Sequence, residues 1–141
     1  MRFVFLTSEF YDAYKDCPEI EQKRTRPYTQ VVITVNNLTF AIPLRSNINH
    51  PHVLWTDKAN KCGLDFSKAV IILDPGKYVD NTTVPHIRQS EFDSLRGKEH
   101  IVKTKMEKYI KDYKKAKTKL HIPQNKQLCR YSTMQYFEDY I

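Results

Sequence analysis

Apolar positions along the chain fall into two periods, one for strands and one for helices. Arg2 to Leu6 is rich in Phe and Val and predicts a short strand. Thr7-Ser8 offers a helix N-cap, Phe10, Ala13, Tyr14 and Cys17 follow at helical spacing, and Pro18 ends the pattern. Glu19 to Arg26 is polar. Gln30-Val31-Val32-Ile33-Thr34-Val35 is continuous and β-branched, as in a buried strand. Asn36-Asn37 tolerates the left-handed backbone of a tight hairpin. Leu38 to Leu44 supplies the partner strand. Proline removes a ladder donor, so pairing is expected to change or stop at Pro43.

Arg45 to Lys61 reads as one long loop. Ala69-Val70-Ile71-Ile72-Leu73 predicts another apolar strand. Asp74-Pro75-Gly76 predicts a turn, and Tyr78-Val79 and Val84 to Ile87 predict short edge strands. From Lys98 to Lys117, Val102, Met106, Tyr109, Ile110, Tyr113 and Ala116 form one apolar stripe, so a long helix docks on the core and turns lysines to solvent. Ser132 with Gln135 reads as a capping box for a last short helix docked by Tyr136, Phe137, Tyr140 and Ile141. This order predicts an α+β fold built on a twisted antiparallel sheet, as one domain over residues 1–141.

Composition changes this picture little. The chain is 40% hydrophobic and 12% aromatic, enough for a globular core. No apolar run is long enough to span a membrane, and the opening residues are too soon charged for a signal peptide. Cys17, Cys62 and Cys129 lack paired spacing and read as reduced, structural thiols of a cytoplasmic protein.

Charge is more informative. Residues 96–119 carry ten Lys/Arg against three Asp/Glu, and this segment accounts for the whole net charge of +7. A basic face of this density suits a polyanion, either nucleic acid or anionic lipid. The helix stripe carries two tyrosines, which favours docking on a core over lying in a lipid surface.

Phosphate-binding and common hydrolase motifs are absent. His50 and His52 lack further ligands at suitable spacing, so no metal and no cofactor are expected. RNA cleavage by its own 2′-hydroxyl asks only for in-line positioning, proton transfer and charge neutralisation. The hairpin brings residues 24–28 to the same end as 45–46. Ser46, Arg45, Tyr28, Arg26 and His52 are therefore the catalytic candidates. Lys23, Arg24, Asn47, Asn49, His50, Lys58, Lys61, Lys103, Lys105, Lys108, Lys111 and Lys115 are the RNA-binding candidates. A non-catalytic RNA-binding module using the same surface is the alternative.

Pro27-Tyr28-Thr29-Gln30-Val31-Val32-Ile33-Thr34-Val35 and Phe40-Ala41-Ile42-Pro43-Leu44-Arg45-Ser46 resemble the type III toxin–antitoxin endoribonucleases. These form the ToxN/AbiQ family, and the likeness is strongest to its TenpN/CptN branch. Asn49-His50-Pro51-His52 and the segment from Lys61 to Ala69 extend it. The resemblance implies a metal-independent endoribonuclease that leaves a 2′,3′-cyclic phosphate on cellular or phage RNA. It implies inhibition by a repeat-derived pseudoknot RNA in a closed toxin–RNA assembly, and a role in phage defence. It also implies a Kid/MazF-like fold, a strongly twisted sheet or partial barrel with flanking helices. The family serine after Pro-Leu falls on Ser46. Where ToxN has a threonine before this serine and a lysine two residues beyond it, this chain has Arg45 and Ile48. Where ToxN has a lysine after the proline that leads into the strand, it has Tyr28. On this likeness Arg45 stabilises the phosphate, and Tyr28 or a loop histidine transfers protons.

Overall fold

The computed structural model describes residues 1–22 and 27–141. The candidates Lys23, Arg24 and Arg26 lie outside them. The fold is α+β. Seven antiparallel strands, β1 (Arg2–Leu6), β2 (Gln30–Val35), β3 (Leu38–Arg45), β4 (Val53–Asp57), β5 (Cys62–Asp65), β6 (Val70–Ile71) and β7 (Val79–Asp80), form one sheet. Its order is β4-β5-β3-β2-β1-β7, with β6 paired to β3. The edges β4 and β7 do not meet, so the sheet is open. Among the described residues, five α-helices accompany it: α1 (Ser8–Ala13), α2 (Pro75–Tyr78), α3 (Gln89–Leu95), α4 (Glu99–Lys117) and α5 (Pro123–Tyr131).

The central hairpin forms as its residues dictate. β2 and β3 pair from Val35 with Leu38 through to Gln30 with Pro43. Asn36 and Asn37 both take positive φ, 52° and 64°, as the tight turn requires. At Pro43 the neighbour on the far edge of β3 changes. Phe40 and Ala41 pair with β6, whereas Leu44 and Arg45 pair with β5. Leu44 N donates to Thr29 O on the β2 side at 2.9 Å, so alternation turns the Pro43 nitrogen to the other edge, where one partner gives way to the next.

α4 lays Val102, Met106, Tyr109, Tyr113 and Ala116 into the core and leaves Lys105, Lys108, Lys111, Lys114 and Lys115 exposed. Each fully buried apolar side chain stabilises by about 1.5–3 kcal/mol, so packing rather than the lysine-rich composition holds this helix. Its tyrosines also tie down the chain's end. Tyr109 donates to Ser132 Oγ at 2.7 Å, and Tyr113 donates to Glu138.

Four expectations are corrected. The segment Arg45 to Lys61 is not one loop, because Val53–Asp57 forms β4 in a hairpin with β5, which leaves residues 46–52 as the loop and 58–61 as the hairpin turn. Val84 to Ile87 forms no strand, and β7 is confined to Val79–Asp80. Residues 69–73 contribute only a two-residue strand, because a 3-10 turn, Phe66–Lys68, leads directly into it. α1 stops at Ala13, well before Pro18: the Tyr14 N–H closes the last turn on Phe10 O and the chain continues as turns. Among the described residues, no helix is long and apolar enough to cross a membrane.

Candidate functional site

The site is organised by one buried carboxylate. All four residues of β5 are buried. Gly63 makes this possible, since a Cβ there would collide with the Leu54 carbonyl on β4. Asp65 ends the strand and caps the 3-10 turn, accepting from Ser67 N at 3.0 Å. Its Oδ1 also accepts from Ser67 Oγ at 2.6 Å and faces His50 Nε2 at 3.1 Å. Its Oδ2 pairs with Arg45 Nη1. Burial pushes the Asp65 pKa up, but His50, Ser67 and Arg45 outweigh burial and hold it below the ordinary value of 3.8.

Arg45 joins this carboxylate to a second one. Its Nη2 meets Glu21 Oε1 at 2.9 Å, and Tyr28 Oη donates to Glu21 Oε2 at 2.8 Å. The guanidinium carbon stands 5.7 Å from the centre of the Tyr28 ring. Burial opposes the Arg45 charge, but Asp65, Tyr28 and Glu21 win and raise its pKa further. Two of its donor nitrogens are thus committed to carboxylates, and its Nε is buried without a partner among the described residues.

The loop after β3 is pinned at several points. Asn47 takes φ 57°, Ile48 is buried, and its N–H donates to Lys61 O at 3.1 Å. Lys61 Nζ reaches Asn49 Oδ1 at 2.9 Å. The His52 N–H donates to His50 Nδ1 at 3.1 Å. A neutral His50 therefore carries its proton on Nε2 and donates it to Asp65. His52 packs against His50, with ring centres 5.6 Å apart, and edge-on to Tyr109 at 5.4 Å. Burial first, and the neighbouring His50 second, push the His52 pKa below 6.5, so it is a neutral imidazole at neutral pH.

Two clefts meet this network. One is lined by Tyr28, Arg45 and exposed Ser46, together with Thr56, His86 and Arg88. Arg88 is already paired with Glu91. The other cleft, of about 650 Å³, runs between the loop carrying Asn49, His50 and His52 and the face of α5, with Ser67 and Tyr109 in its wall. It continues past His52 to Lys105 and Lys108. The structure therefore brings Tyr28, Arg45 and Ser46 together and joins them to the histidines through Asp65.

The remaining candidates are more scattered. Asn47, Lys58 and Lys61 are exposed on the loop and the β4–β5 turn. Lys111 faces a separate depression beside Asn36 and Tyr140, and Lys103 and Lys115 line neither cleft. Sequence reasoning missed Glu21, Asp65, Ser67 and Tyr131 as site residues.

The trio His50, Asp65 and Ser67 is not a nucleophile triad. That mechanism needs the carboxylate on one imidazole nitrogen and the serine on the other. Here Asp65 and Ser67 share Nε2, and Ser67 donates to the carboxylate. The arrangement orients an imidazole. Among the described residues, no group of three His, Cys, Asp or Glu side chains is placed to hold a metal ion. The three cysteines are unpaired.

No family model, no curated protein and no solved structure matches the chain.

Proposed function

We propose that this protein is a metal-independent endoribonuclease that cleaves RNA by attack of the substrate's 2′-hydroxyl, and acts as a toxin restrained by a pseudoknot RNA antitoxin. What supports the reading is the pair of adjacent imidazoles, His50 and His52, beside a buried carboxylate and next to exposed lysines of α4. His52, neutral at working pH, takes the proton of the attacking hydroxyl. His50, held by the His52 N–H on Nδ1 and by Asp65 on Nε2, orients the neighbouring imidazole, and the 5′ leaving oxygen takes its proton from solvent as its bond to phosphorus breaks. Ser46 orients the RNA backbone from the other cleft, and Lys105 and Lys108 hold flanking phosphates. Arg45 and Tyr28 act as positioning residues through Glu21 and Asp65, which refines the assignment of Arg45 to the phosphate. A strongly twisted, Kid/MazF-like partial barrel and a cytoplasmic setting belong to the same proposal.

Cleavage of a labelled RNA by purified protein in a chelator tests it. The expected product carries a 2′,3′-cyclic phosphate, and Ser46→Ala and His52→Gln keep RNA binding while losing cleavage. Wild-type protein that binds RNA and never cuts it refutes the enzyme. That result would favour the non-catalytic RNA-binding module, a reading to which the neutralisation of Arg45 by two carboxylates lends its own support.

A further inference from the structure

The larger cleft differs in chemistry from the basic surface beside it. Its α5 wall presents Gln124, Gln127 and Tyr131, and the opposite wall presents Asn49 and His52. A volume of about 650 Å³ lies within the range of roughly 300–1,000 Å³ that holds small-molecule ligands. Tyr131 is 48% exposed at the rim of this cleft.

Its placement is nonetheless fixed. The Tyr131 carbonyl accepts from Lys68 Nζ at 2.8 Å, and Lys68 is itself paired with Glu19 at 2.8 Å. The preceding carbonyl, of Arg130, accepts from Gln135 Nε2 at 2.9 Å. The Arg130 guanidinium lies 5.6 Å from the centre of the Tyr131 ring. A ring carried on a tethered backbone and left open to solvent suits stacking of a flat ligand. The neighbouring amides each carry a donor and an acceptor, the pattern that matches the edge of a nucleobase. Asn125 is not a reader, because its amide donates to Lys119 O at 3.1 Å. Among the described residues, the side-chain amides of Gln124 and Gln127 have no hydrogen-bond partner, and both line the cleft.

We propose that this cleft is a base-reading pocket for one unstacked nucleotide of single-stranded RNA, with Tyr131 as the stacking platform and Gln124 and Gln127 as the residues that discriminate the base. The ligand class rests on the RNA-cleaving reading above. The pocket places the base on α5, His52 beside the sugar, and the next phosphate toward Lys105 and Lys108. A paired base offers no free face, so duplex RNA gains nothing from Tyr131.

Fluorescence anisotropy with short 2′-fluoro homopolymers tests this independently of catalysis, since these probes lack the attacking hydroxyl. Wild-type protein is expected to rank the four homopolymers differently. Tyr131→Ala should weaken the best single-stranded probe about tenfold, from the loss of one base–aromatic stack. Tyr131→Phe should retain binding, and Gln127→Ala should flatten the ranking. Binding of a 2′-fluoro duplex should not respond to Tyr131→Ala. The pocket is overturned if Tyr131→Ala leaves all single-stranded probes unchanged, if it weakens duplex equally, or if wild-type protein ranks the homopolymers alike. Cleavage of ordinary RNA would survive each of those outcomes, so the two readings fail separately.

Discussion

Replacing Asp65 with asparagine tests the idea that one carboxylate organises the site. The side chain is fully buried and is surrounded by donors: Arg45 on one oxygen, and Ser67 and His50 on the other. Asparagine keeps one acceptor and turns an NH2 group toward one of these sets. Removing one member of a buried ion pair costs about 3–5 kcal/mol. Arg45 is 19% exposed and keeps Glu21, so the lower end applies, about 3 kcal/mol. In a chain of this length that lowers Tm by about 10 °C. Urea unfolding followed by fluorescence, with the slope m unchanged, measures it. The pH dependence gives a second check. The folded pKa of Asp65 lies below the unfolded value of 3.8, so its contribution is complete above pH 3.8 and fades as pH falls through the folded value. Wild type and Asp65→Asn should therefore converge in acid. A difference under about 1 kcal/mol at pH 7, or one that does not shrink in acid, refutes the reasoning.

Three further variants carry expected outcomes. His52→Gln should lower kcat/KM by about 10²–10⁴-fold and abolish an acid limb lying below pH 6.5. Because the folded pKa of His52 is depressed, wild-type stability should be full above pH 6.5 and decline as pH drops toward that folded value, a slope the variant lacks in matched thermal melts. Gly63→Ala should destabilise by about 3 kcal/mol in the same urea assay, since the new methyl meets the Leu54 backbone rather than a movable side chain. Replacing Lys105 and Lys108 together with alanine should reduce the slope of log affinity against log salt for single-stranded RNA by about 1.4, and an unchanged slope would remove both from the RNA surface.

What the sequence made legible was local. The β2–β3 hairpin and the stripe of α4 rest on neighbouring residues and on spacing, and both formed as expected. The meeting of Tyr28 with Arg45 followed from antiparallel pairing alone. β4 was obscured because Val53-Leu54-Trp55-Thr56 follows a run of polar residues and a proline, although its β-branched and aromatic content was the signal to weigh. α5 carries a single buried residue, Cys129, so periodicity is weak, and Pro123 at its first turn was the available mark. Asp65 was invisible for a deeper reason. Its role depends on partners at positions 45, 50 and 67, which only the folded chain assembles.

The exchange of partners around Pro43 has a consequence for dynamics. β3 is bonded along one edge to β2 and along the other to β6 and then β5, so its backbone is enclosed on both sides. Phe40, Ala41 and Ile42 have no exposed surface. Their amide protons should be among the slowest in the molecule to be replaced by deuterium, released only when the whole sheet opens, while those of the short outer strand β7 exchange through fraying.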